Sequence, residues 1–427
     1  MVSLASSSAN GQTIFGKNSD RPANECQPLI MRPRCNYPPD TEVETQFLVL
    51  PQSRMTYKHV GSRPYWCWGY EHGFNEHQVV IGNESLPSRL GTSGEPKLIG
   101  MELVRLGLER AKTASNAVEV ITDLITRYGQ GKFENADGVR TYDNIFLIGD
   151  PRSAFVIEAV GHDWAVKRLS HNHSISNVGM LGADADRVSL SARDAAATFG
   201  LFNGGGEEDF NFASVFADTA ASASGVARRN RSTALLKANA GRLDAGKMMG
   251  ILKDHSSGDN PAEAAVVDVA GPVSLCVHRQ DAKLPATTAA SLVADLDGEG
   301  RRLPVYWCCL YSPCLGVYLP MFIEGELPPK LAIGTGEASG DSPWWMFHHL
   351  TREALKMRPE ERSEIRKAIQ ILQADLFDTA YHQARTALRL IRGGREKQAA
   401  RQLSSYMEKS VDSALTMAGQ LLSGQTL

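Results

Sequence analysis

The chain has 427 residues, with 45 basic and 48 acidic side chains, a net charge of −3 and no long basic run. This balance lacks the electrostatic footprint of a nucleic-acid-binding protein. No apolar stretch approaches the roughly 20 residues that a membrane helix needs, and residues 1–12 lack the basic start of a signal peptide. We therefore expect a cytoplasmic protein that engages neither nucleic acid nor a membrane.

The composition is that of an ordinary globular protein, with 42% hydrophobic and 22% charged residues. A chain of this length exceeds the usual size of a single core, so one large domain with an appendage, or two domains, is expected.

The seven cysteines are odd in number and scattered along the chain, which does not suggest a disulfide framework. Most of them lie in apolar or aromatic surroundings, where a cysteine usually acts as a small buried hydrophobe; these are Cys67, Cys276, Cys308, Cys309 and Cys314. Because Cys308, Cys309 and Cys314 lack the paired spacing of a zinc motif, we expect no metal and no cofactor.

Residues 14–27 form a dense polar stretch that directly follows a β-like run over residues 12–16. Within nine residues it contains Lys17, Asn18, Asp20, Arg21, Asn24 and Glu25. So many polar side chains at a strand end are typical of a functional site, but Asn, Ser, Asp and Pro are also common turn formers. Composition alone leaves both interpretations open.

Helices and hairpins follow in the first half of the chain. Helical periodicity covers residues 98–111 and 114–128, with Thr113 as the cap and Gly129 as the stop of the second helix. Turn residues separate three strands of an antiparallel meander, at 144–148, 154–159 and 164–169. Further strands are predicted at 46–51, 55–61, 65–70, which is an aromatic run, and 79–84.

The second half is predicted to be mixed and then helical. The Gly-rich loop at 203–208 lacks a phosphate-binding pattern. Helices are predicted at 212–223 and 227–240, and strands at 264–269, 273–278, 305–310 and 315–322. From about residue 343 two apolar helical stripes, broken at Gly393 and Gly394, predict a helical hairpin packed on the main domain, where it could contribute to a homo-oligomer contact. This pattern indicates an α+β fold with two packed sheets covered by helices.

Many separate sequence words, in order, give the chain a resemblance over most of its length to the secernin / C69 dipeptidase family of N-terminal-nucleophile (Ntn) hydrolases. The words span residues 14–22, 24–25, 66–69, 75–76, 81–84, 100–105, 128–131, 142–144, 146–151, 175–177, 276–278, 287–288 and 313–314.

The resemblance implies an Ntn-hydrolase four-layer αββα sandwich over residues 1–342, with a helical C-terminal extension over 343–427. It also implies a cysteine at the amino terminus of the mature chain, whose thiol attacks the amide carbonyl of a small peptide or amide substrate. The free α-amino group, with a pKa of about 7.7–8.0, lies close to the thiol's value of about 8.5 and can act as the base. An acyl-enzyme forms and water resolves it.

The resemblance also assigns site residues. Lys17 takes the place of an arginine beside the nucleophile, and Asp20 orients the terminal amine. Asn83 and Asn177 line an oxyanion hole, and Arg231, or less surely Arg228, supplies a second cation. Asn18 and Asn144 are assigned to substrate binding. Without the resemblance, the asparagines would be interpreted as strand-end caps and Arg231 as a surface ion pair.

The sequence contains no cysteine before Cys26, so the family's Cys-Asp-Thr opening would fall a few residues upstream of Met1. Three interpretations follow: the start is assigned too late, the protein is a non-catalytic regulatory or interaction relative, or Ser3 replaces the cysteine after removal of two residues. The first predicts a cysteine-type dipeptidase. The sequence does not define side-chain preference, and peptides, acyl-homoserine lactones and bile-salt amides are all substrates in the wider superfamily.

Overall fold

A computed structural model describes residues 1–90, 94–135, 138–141, 143–204, 210–255, 273–279 and 286–424. The fold is α+β, with antiparallel sheets and a helical carboxyl-terminal region. Over the described ranges, no helix is long and apolar enough to cross a bilayer.

The strands of these ranges, in chain order, are β1 (Val2–Ser3), β2 (Thr13–Pro22), β3 (Leu29–Arg32), β4 (Cys35–Asn36), β5 (Glu42–Glu44), β6 (Val49–Pro51), β7 (Met55–Thr56), β8 (His59–Ser62), β9 (His72–Asn75), β10 (Val80–Leu86), β11 (Lys132–Asn135), β12 (Gly138–Thr141), β13 (Asp143–Gly149), β14 (Ala154–Val160), β15 (Asp163–Arg168), β16 (Arg187–Val188), β17 (His278–Arg279), β18 (Ala286–Leu296), β19 (Val305–Cys309) and β20 (Leu319–Met321). The α-helices are α1 (Gly100–Arg110), α2 (Ala114–Tyr128), α3 (Ala192–Thr198), α4 (Phe212–Phe216), α5 (Ala223–Ala238), α6 (Ala245–Leu252), α7 (Pro343–Lys356), α8 (Pro359–Arg392) and α9 (Glu396–Ser423).

The chain divides into two units by its internal contacts. The first unit comprises Met1–Leu4, Arg32–Gly61 and Trp66–Ala234, and the second comprises Ala5–Met31, Ser62–Tyr65 and Leu235–Leu427. The predicted boundary between residues 342 and 343 stays a prediction.

An antiparallel sheet with the strand order β16–β15–β14–β13–β10–β9–β8 organises the first unit. Its centre is the predicted meander, which is confirmed in β13, β14 and β15. Helix α1 lies on one face, where the Ile81 side chain occupies the space in which a Cβ on Gly107 would stand. The face that carries Ile81 also carries Asn83 and Ser85, because alternate residues of a strand share a face.

The structure confirms the predicted start and end of helix α2. The Thr113 side chain accepts a hydrogen bond from the Asn116 backbone N–H, which satisfies one of the donors that every helix start leaves without an intrahelical acceptor. At the other end Gly129 has a φ of 69°, a conformation that costs glycine little.

The second unit is built on an antiparallel sheet in which β2, β18, β19 and β20 are neighbours in that order. Helix α6 packs closely on β2, since a Cβ on Gly16 would lie 2.6 Å from Met248 Cγ. Helix α8 packs on β19 and β20. Gln373 of α8 accepts a hydrogen bond from the Tyr318 backbone N–H (2.8 Å) and donates one to the Tyr318 carbonyl (3.1 Å).

The carboxyl-terminal helices confirm the predicted hairpin. Helix α8 ends at Arg392, α9 begins at Glu396, and Gly394 between them has a φ of 70°. The ring of Phe377 stacks on buried Trp307 at 5.2 Å, so the apolar stripe of α8 closes over the sheet of its own unit.

The aromatic run at 65–70 is a turn, so its prediction as a buried strand was wrong. The guanidinium of Arg105 in α1 lies 3.6 Å from the Trp68 ring centroid and donates a hydrogen bond to the Trp68 carbonyl. A Cβ on Gly69 would stand 2.2 Å from the Met101 backbone, so this segment wraps around the start of α1. Its aromatic residues favour a strand by propensity, and these tertiary contacts override that preference.

Other predicted elements differ in extent. The helix predicted at 212–223 ends at Phe216, and α5 begins at Ala223. In the segment predicted as a strand at 273–278, only His278 belongs to a strand, and in 315–322 only Leu319–Met321 does. The strand predicted at 264–269 and most of the loop at 203–208 lie outside the described residues. Strand β18 was not predicted.

Candidate active site

Residues 14–22 of the polar stretch are part of strand β2, and a turn at Ala23 and Asn24 follows them. Residues Thr13–Pro22 run antiparallel to β18, which places Lys17 opposite Leu292, Asn18 opposite Ser291 and Asp20 opposite Thr288. The pairing is irregular between Thr288 and Ala290. These side chains are therefore fixed by a sheet in the middle of the second unit, so their positions do not depend on a mobile loop.

Asp20 is held by its cross-strand neighbour. Thr288 Oγ1 donates a hydrogen bond of 2.7 Å to Asp20 Oδ1. The same hydroxyl accepts from the Val277 backbone N–H at 2.9 Å. The carboxylate is half-buried and keeps a defined orientation, which suits a group that has to orient a proton donor.

The Asn18 side chain is bound by protein groups on both sides. Its Nδ2 donates to the carbonyls of Leu252 (2.9 Å) and Leu275 (2.7 Å), and its Oδ1 accepts from Ser291 Oγ (2.7 Å). Both amide hydrogens are used, so Asn18 ties the end of α6 and the segment before β17 to β2. Its predicted contact with substrate stays a prediction.

Lys17 is a buried cation on the neighbouring position of the strand. Only 6% of the residue is exposed, and Nζ donates to the Asn18 carbonyl at 3.3 Å. A buried ammonium group requires polar partners, and this burial accords with a role more specific than a surface charge.

Asn83 and Asn144 meet on the helix-covered face of the sheet in the first unit. Asn83 Nδ2 donates to Asn144 Oδ1 at 3.0 Å, and Asn144 Nδ2 donates to Gln130 Oε1 at 2.8 Å. A Cβ on Gly100 would stand 1.9 Å from Asn144 Oδ1 and 2.3 Å from Asn83 Nδ2, so α1 begins directly on this pair. Both residues are buried. Oxyanion contact for Asn83 and substrate contact for Asn144 stay predictions.

Asn177 belongs to a second polar group of the first unit. Its Nδ2 donates to Ser85 Oγ (2.8 Å) and to the Ser85 carbonyl (2.9 Å), while its Oδ1 accepts from Arg228 Nη2 at 2.7 Å. Arg228, one of the two candidate arginines of α5, therefore contacts Asn177, and the role of Arg231 stays a prediction. Arg231 lies half-buried one helical turn later.

Strand β1 runs beside the segment that leads to Asn177. The Val2 and His173 backbones exchange two hydrogen bonds of 2.9 Å as an antiparallel pair. In such a pair, residues before Val2 lie opposite residues after His173. Burial is the main reason that the pKa of the His173 imidazole falls to about 4, and the nearby charge of Arg229 adds to the shift.

Buried carboxylates that were not predicted from the sequence support this region. Glu158 of β14 accepts hydrogen bonds from the backbone N–H groups of Met180 (2.6 Å) and Leu181 (3.1 Å). Burial nevertheless raises the pKa of Glu158 to about 7 and that of Asp143 to about 6. A charged residue in an otherwise apolar strand was the signal in the sequence that could have identified Glu158.

A group of metal-ligand side chains lies in the second unit, where the sequence analysis expected no metal. It consists of His255, Cys276, His278 and Cys314, whose ligand atoms all lie within 4.8 Å of one another. Cysteine spacing along the chain did not reveal it, because the ligands come from three separate segments. The spacing Cys276-x-His278, which puts both side chains on one face of an extended segment, was the available signal.

No family model matches the sequence. In comparisons with solved structures, the chain is similar to a variant of conjugated bile acid hydrolase from Clostridium perfringens, with 13% identity, a TM-score of 0.39 and coverage of 73% of this chain and 89% of that chain. It is similar to penicillin V acylase from Agrobacterium tumefaciens, with 11% identity, a TM-score of 0.37 and coverage of 72% and 81%. It is also similar to an N-acylethanolamine-hydrolyzing acid amidase orthologue from Caenorhabditis elegans, with 15% identity, a TM-score of 0.32 and coverage of 68% and 90%.

Proposed function

We propose that the protein is a cysteine-type Ntn amidohydrolase that acts as a dipeptidase on small peptides, in the manner of the secernin / C69 family that its sequence resembles. The observation that carries the proposal is the antiparallel pair between Val2 and His173. If the same antiparallel geometry continued backwards, a residue before Met1 would lie opposite Ile175, two positions from Asn177. A cysteine a few residues upstream of Met1 would approach the group that the resemblance assigns to the oxyanion.

The chemistry follows from an amine and a thiol on one residue. The α-amine takes the thiol proton, and the thiolate sulfur attacks the carbonyl carbon of the peptide. The C–N bond then breaks, the leaving amine takes up the proton, and an acyl-thioester remains. Water attacks this thioester, releases the carboxylic acid and restores the thiol.

The environment of each proposed residue supports its role. Asp20 offers a fixed carboxylate, the kind of group that can orient an amine, and Lys17 offers a buried cation, the kind of group that would lower the pKa of a thiol placed beside it. The Asn177 amide is held by Arg228 at its oxygen and by Ser85 at its nitrogen, so its direction is defined, and contact with an oxyanion would exchange an Nδ2 hydrogen bond to Ser85 for one to the substrate. Removal of one oxyanion donor typically lowers kcat by about 10²–10³.

The test compares chains that differ only in their first residue. The natural open reading frame upstream of Met1 is sequenced, and the longer chain is expressed with Cys, Ser or Ala as its processed amino terminus. A panel of dipeptides, N-acyl amides and lactones is assayed with each. We expect dipeptide hydrolysis by the Cys form, weak hydrolysis by the Ser form and none by the Ala form.

Three results would overturn the proposal in whole or in part. Absence of hydrolysis by a folded Cys form would favour a non-catalytic interaction protein, and selective cleavage of N-acyl amides would keep the mechanism but reject the dipeptidase assignment. Activity of the chain that starts at Met1, lost on Ser3→Ala, would assign the nucleophile to Ser3.

A further inference from the structure

We propose that His255, Cys276, His278 and Cys314 bind one zinc ion that holds together three segments of the second unit. Zinc binding by these four residues does not depend on the proposed amidase chemistry. Two cysteines and two histidines are a common ligand set of structural zinc sites.

The spacing of the ligand atoms fits a tetrahedral ion. His278 Nε2 lies 3.4 Å from Cys276 Sγ and 3.2 Å from Cys314 Sγ. With Zn–S bonds of about 2.3 Å and Zn–N bonds of about 2.0–2.1 Å, a tetrahedron separates nitrogen from sulfur by about 3.6 Å. The rings of His255 and His278 stack on each other, with centroids 5.2 Å apart. Small side-chain adjustments are enough to close four ligands around one ion.

The backbone places these ligands through contacts that need no metal. Val277 exchanges hydrogen bonds with Thr288 of β18, which turns Cys276 and His278 to the same side. Cys314 lies in a short 3₁₀ turn, Pro313–Leu315, and Ser312 before it donates to the Thr288 carbonyl at 3.2 Å. Hydrogen bonds to the same residue of β18, Thr288, therefore position the segments that carry Cys276, His278 and Cys314.

The fourth ligand is fixed from the side of α6. The backbone N–H groups of Leu275 (2.9 Å) and Cys276 (3.3 Å) donate to the Asp254 carbonyl. His255 follows Asp254 directly, so its position is tied to that of Cys276. Asn18 binds the carbonyls of Leu252 and Leu275 and locks the same two segments to β2.

The Ser274 side chain orients the His255 ring. Ser274 Oγ donates its hydrogen to the Cys276 carbonyl and lies 2.9 Å from His255 Nδ1. Because a hydroxyl has one hydrogen, this oxygen accepts from Nδ1–H, and the lone pair of the ring is on Nε2. An outer hydrogen bond that fixes the tautomer in this way is typical of metal-binding histidines.

Burial identifies the site as structural. His255, Cys276 and His278 are buried, and Cys314 is half-buried. A catalytic zinc ion keeps an open position for water, whereas four protein ligands in a closed environment complete the coordination of a structural ion. We therefore expect the ion to stabilise the second unit.

The test measures metal directly on the full chain, purified under reducing conditions. We expect elemental analysis to give about one zinc per chain. Replacement of zinc by Co²⁺ should give the absorption of a tetrahedral ion, with thiolate-to-cobalt charge transfer. In Cys276→Ser and in Cys314→Ser this charge transfer should fall by about half, and zinc affinity at least about tenfold. Cys308→Ala, which removes a buried cysteine outside the group, should keep both.

A variant that fails to fold is covered by a second measurement. Wild-type protein is stripped with a chelator and titrated with zinc while its Tm is followed, and we expect Tm to rise until one equivalent has bound. A folded wild-type protein that binds neither zinc nor cobalt would overturn the proposal. So would full charge-transfer intensity in either serine variant.

Discussion

Thr288 Oγ1 donates a 2.7 Å hydrogen bond to Asp20 Oδ1 at the position where the pairing of β2 and β18 becomes irregular. Thr288 Oγ1 also accepts a hydrogen bond from the backbone N–H of Val277, the residue before the proposed zinc ligand His278. One threonine thus links the proposed amine-orienting carboxylate to the segment that carries two of the proposed zinc ligands.

Thr288→Val is expected to lower kcat/KM of the Cys-led enzyme by about tenfold, because Asp20 loses the donor that orients it. Asp20→Asn removes the charge itself and is expected to cost about 10²–10⁴. Steady-state dipeptide hydrolysis measures both. Thr56→Val, at a buried threonine of β7, serves as the control. Equal activity of Thr288→Val and the control would contradict a role of Thr288 in positioning Asp20.

Arg228→Ala is expected to lower kcat by about tenfold with a smaller change in KM, since the Asn177 amide loses the hydrogen bond that fixes its direction. Arg231→Ala is the matched comparison one turn further along α5. Steady-state kinetics separates the two arginines. A larger loss at Arg231 would support the role that the resemblance implies for Arg231.

Gly100→Ala is expected to lower the free energy of unfolding by about 1–3 kcal/mol, because the new methyl group would overlap the Asn83–Asn144 pair. Denaturant unfolding measures the change. Gly419→Ala is the control within helix α9, since no atom lies within 4 Å of the added Cβ. There the substitution should stabilise the helix by about 0.5–1 kcal/mol. A neutral Gly100→Ala would show that the pair can move aside.

Glu158 should make stability depend on pH with a defined sign. Its pKa is about 7 in the folded protein, above the ordinary value of 4.5, because burial disfavours the charged form. The folded state then binds more protons than the unfolded state between about pH 4.5 and 7, so this contribution to stability is present at low pH and is lost as the pH rises.

Glu158→Gln removes this titration, and the free energy of unfolding should then fall less between pH 4.5 and 7 than it does in the wild type. The difference between the folded pKa of about 7 and the ordinary value of 4.5 corresponds to about 3 kcal/mol in the free energy of unfolding. Denaturant unfolding across this window provides the test, with exposed Glu337→Gln as the control. Parallel pH profiles for the wild type and Glu158→Gln would contradict it.

The sequence predicts best those elements whose signals are local. Helix α2 has a cap at Thr113, one apolar stripe and a glycine stop, and all three occur in the structure. Strand β18 has no such signal, because Ala286–Leu296 is alanine-rich and buried along nearly all of its length, which leaves no alternation to detect.

The candidate site was predictable only in part for a related reason. Lys17, Asn18 and Asp20 are neighbours in sequence and share a strand, so their grouping was visible. The partner of Asp20 is 268 residues away, and the group around Cys276 joins three distant segments. Contacts of this kind arise from topology, which residue spacing along the chain does not encode.

The proposed mechanism requires a cysteine as the first residue of the natural protein. Identifying that residue is therefore the decisive measurement. Intact-mass analysis of the purified natural protein, with fragmentation of its first residues, identifies that residue. We expect an unblocked cysteine a few positions before Met1, on a protein that hydrolyses dipeptides. A natural protein that begins at Met1 or Val2 and still cleaves dipeptides at the rate of the Cys-led form would contradict it.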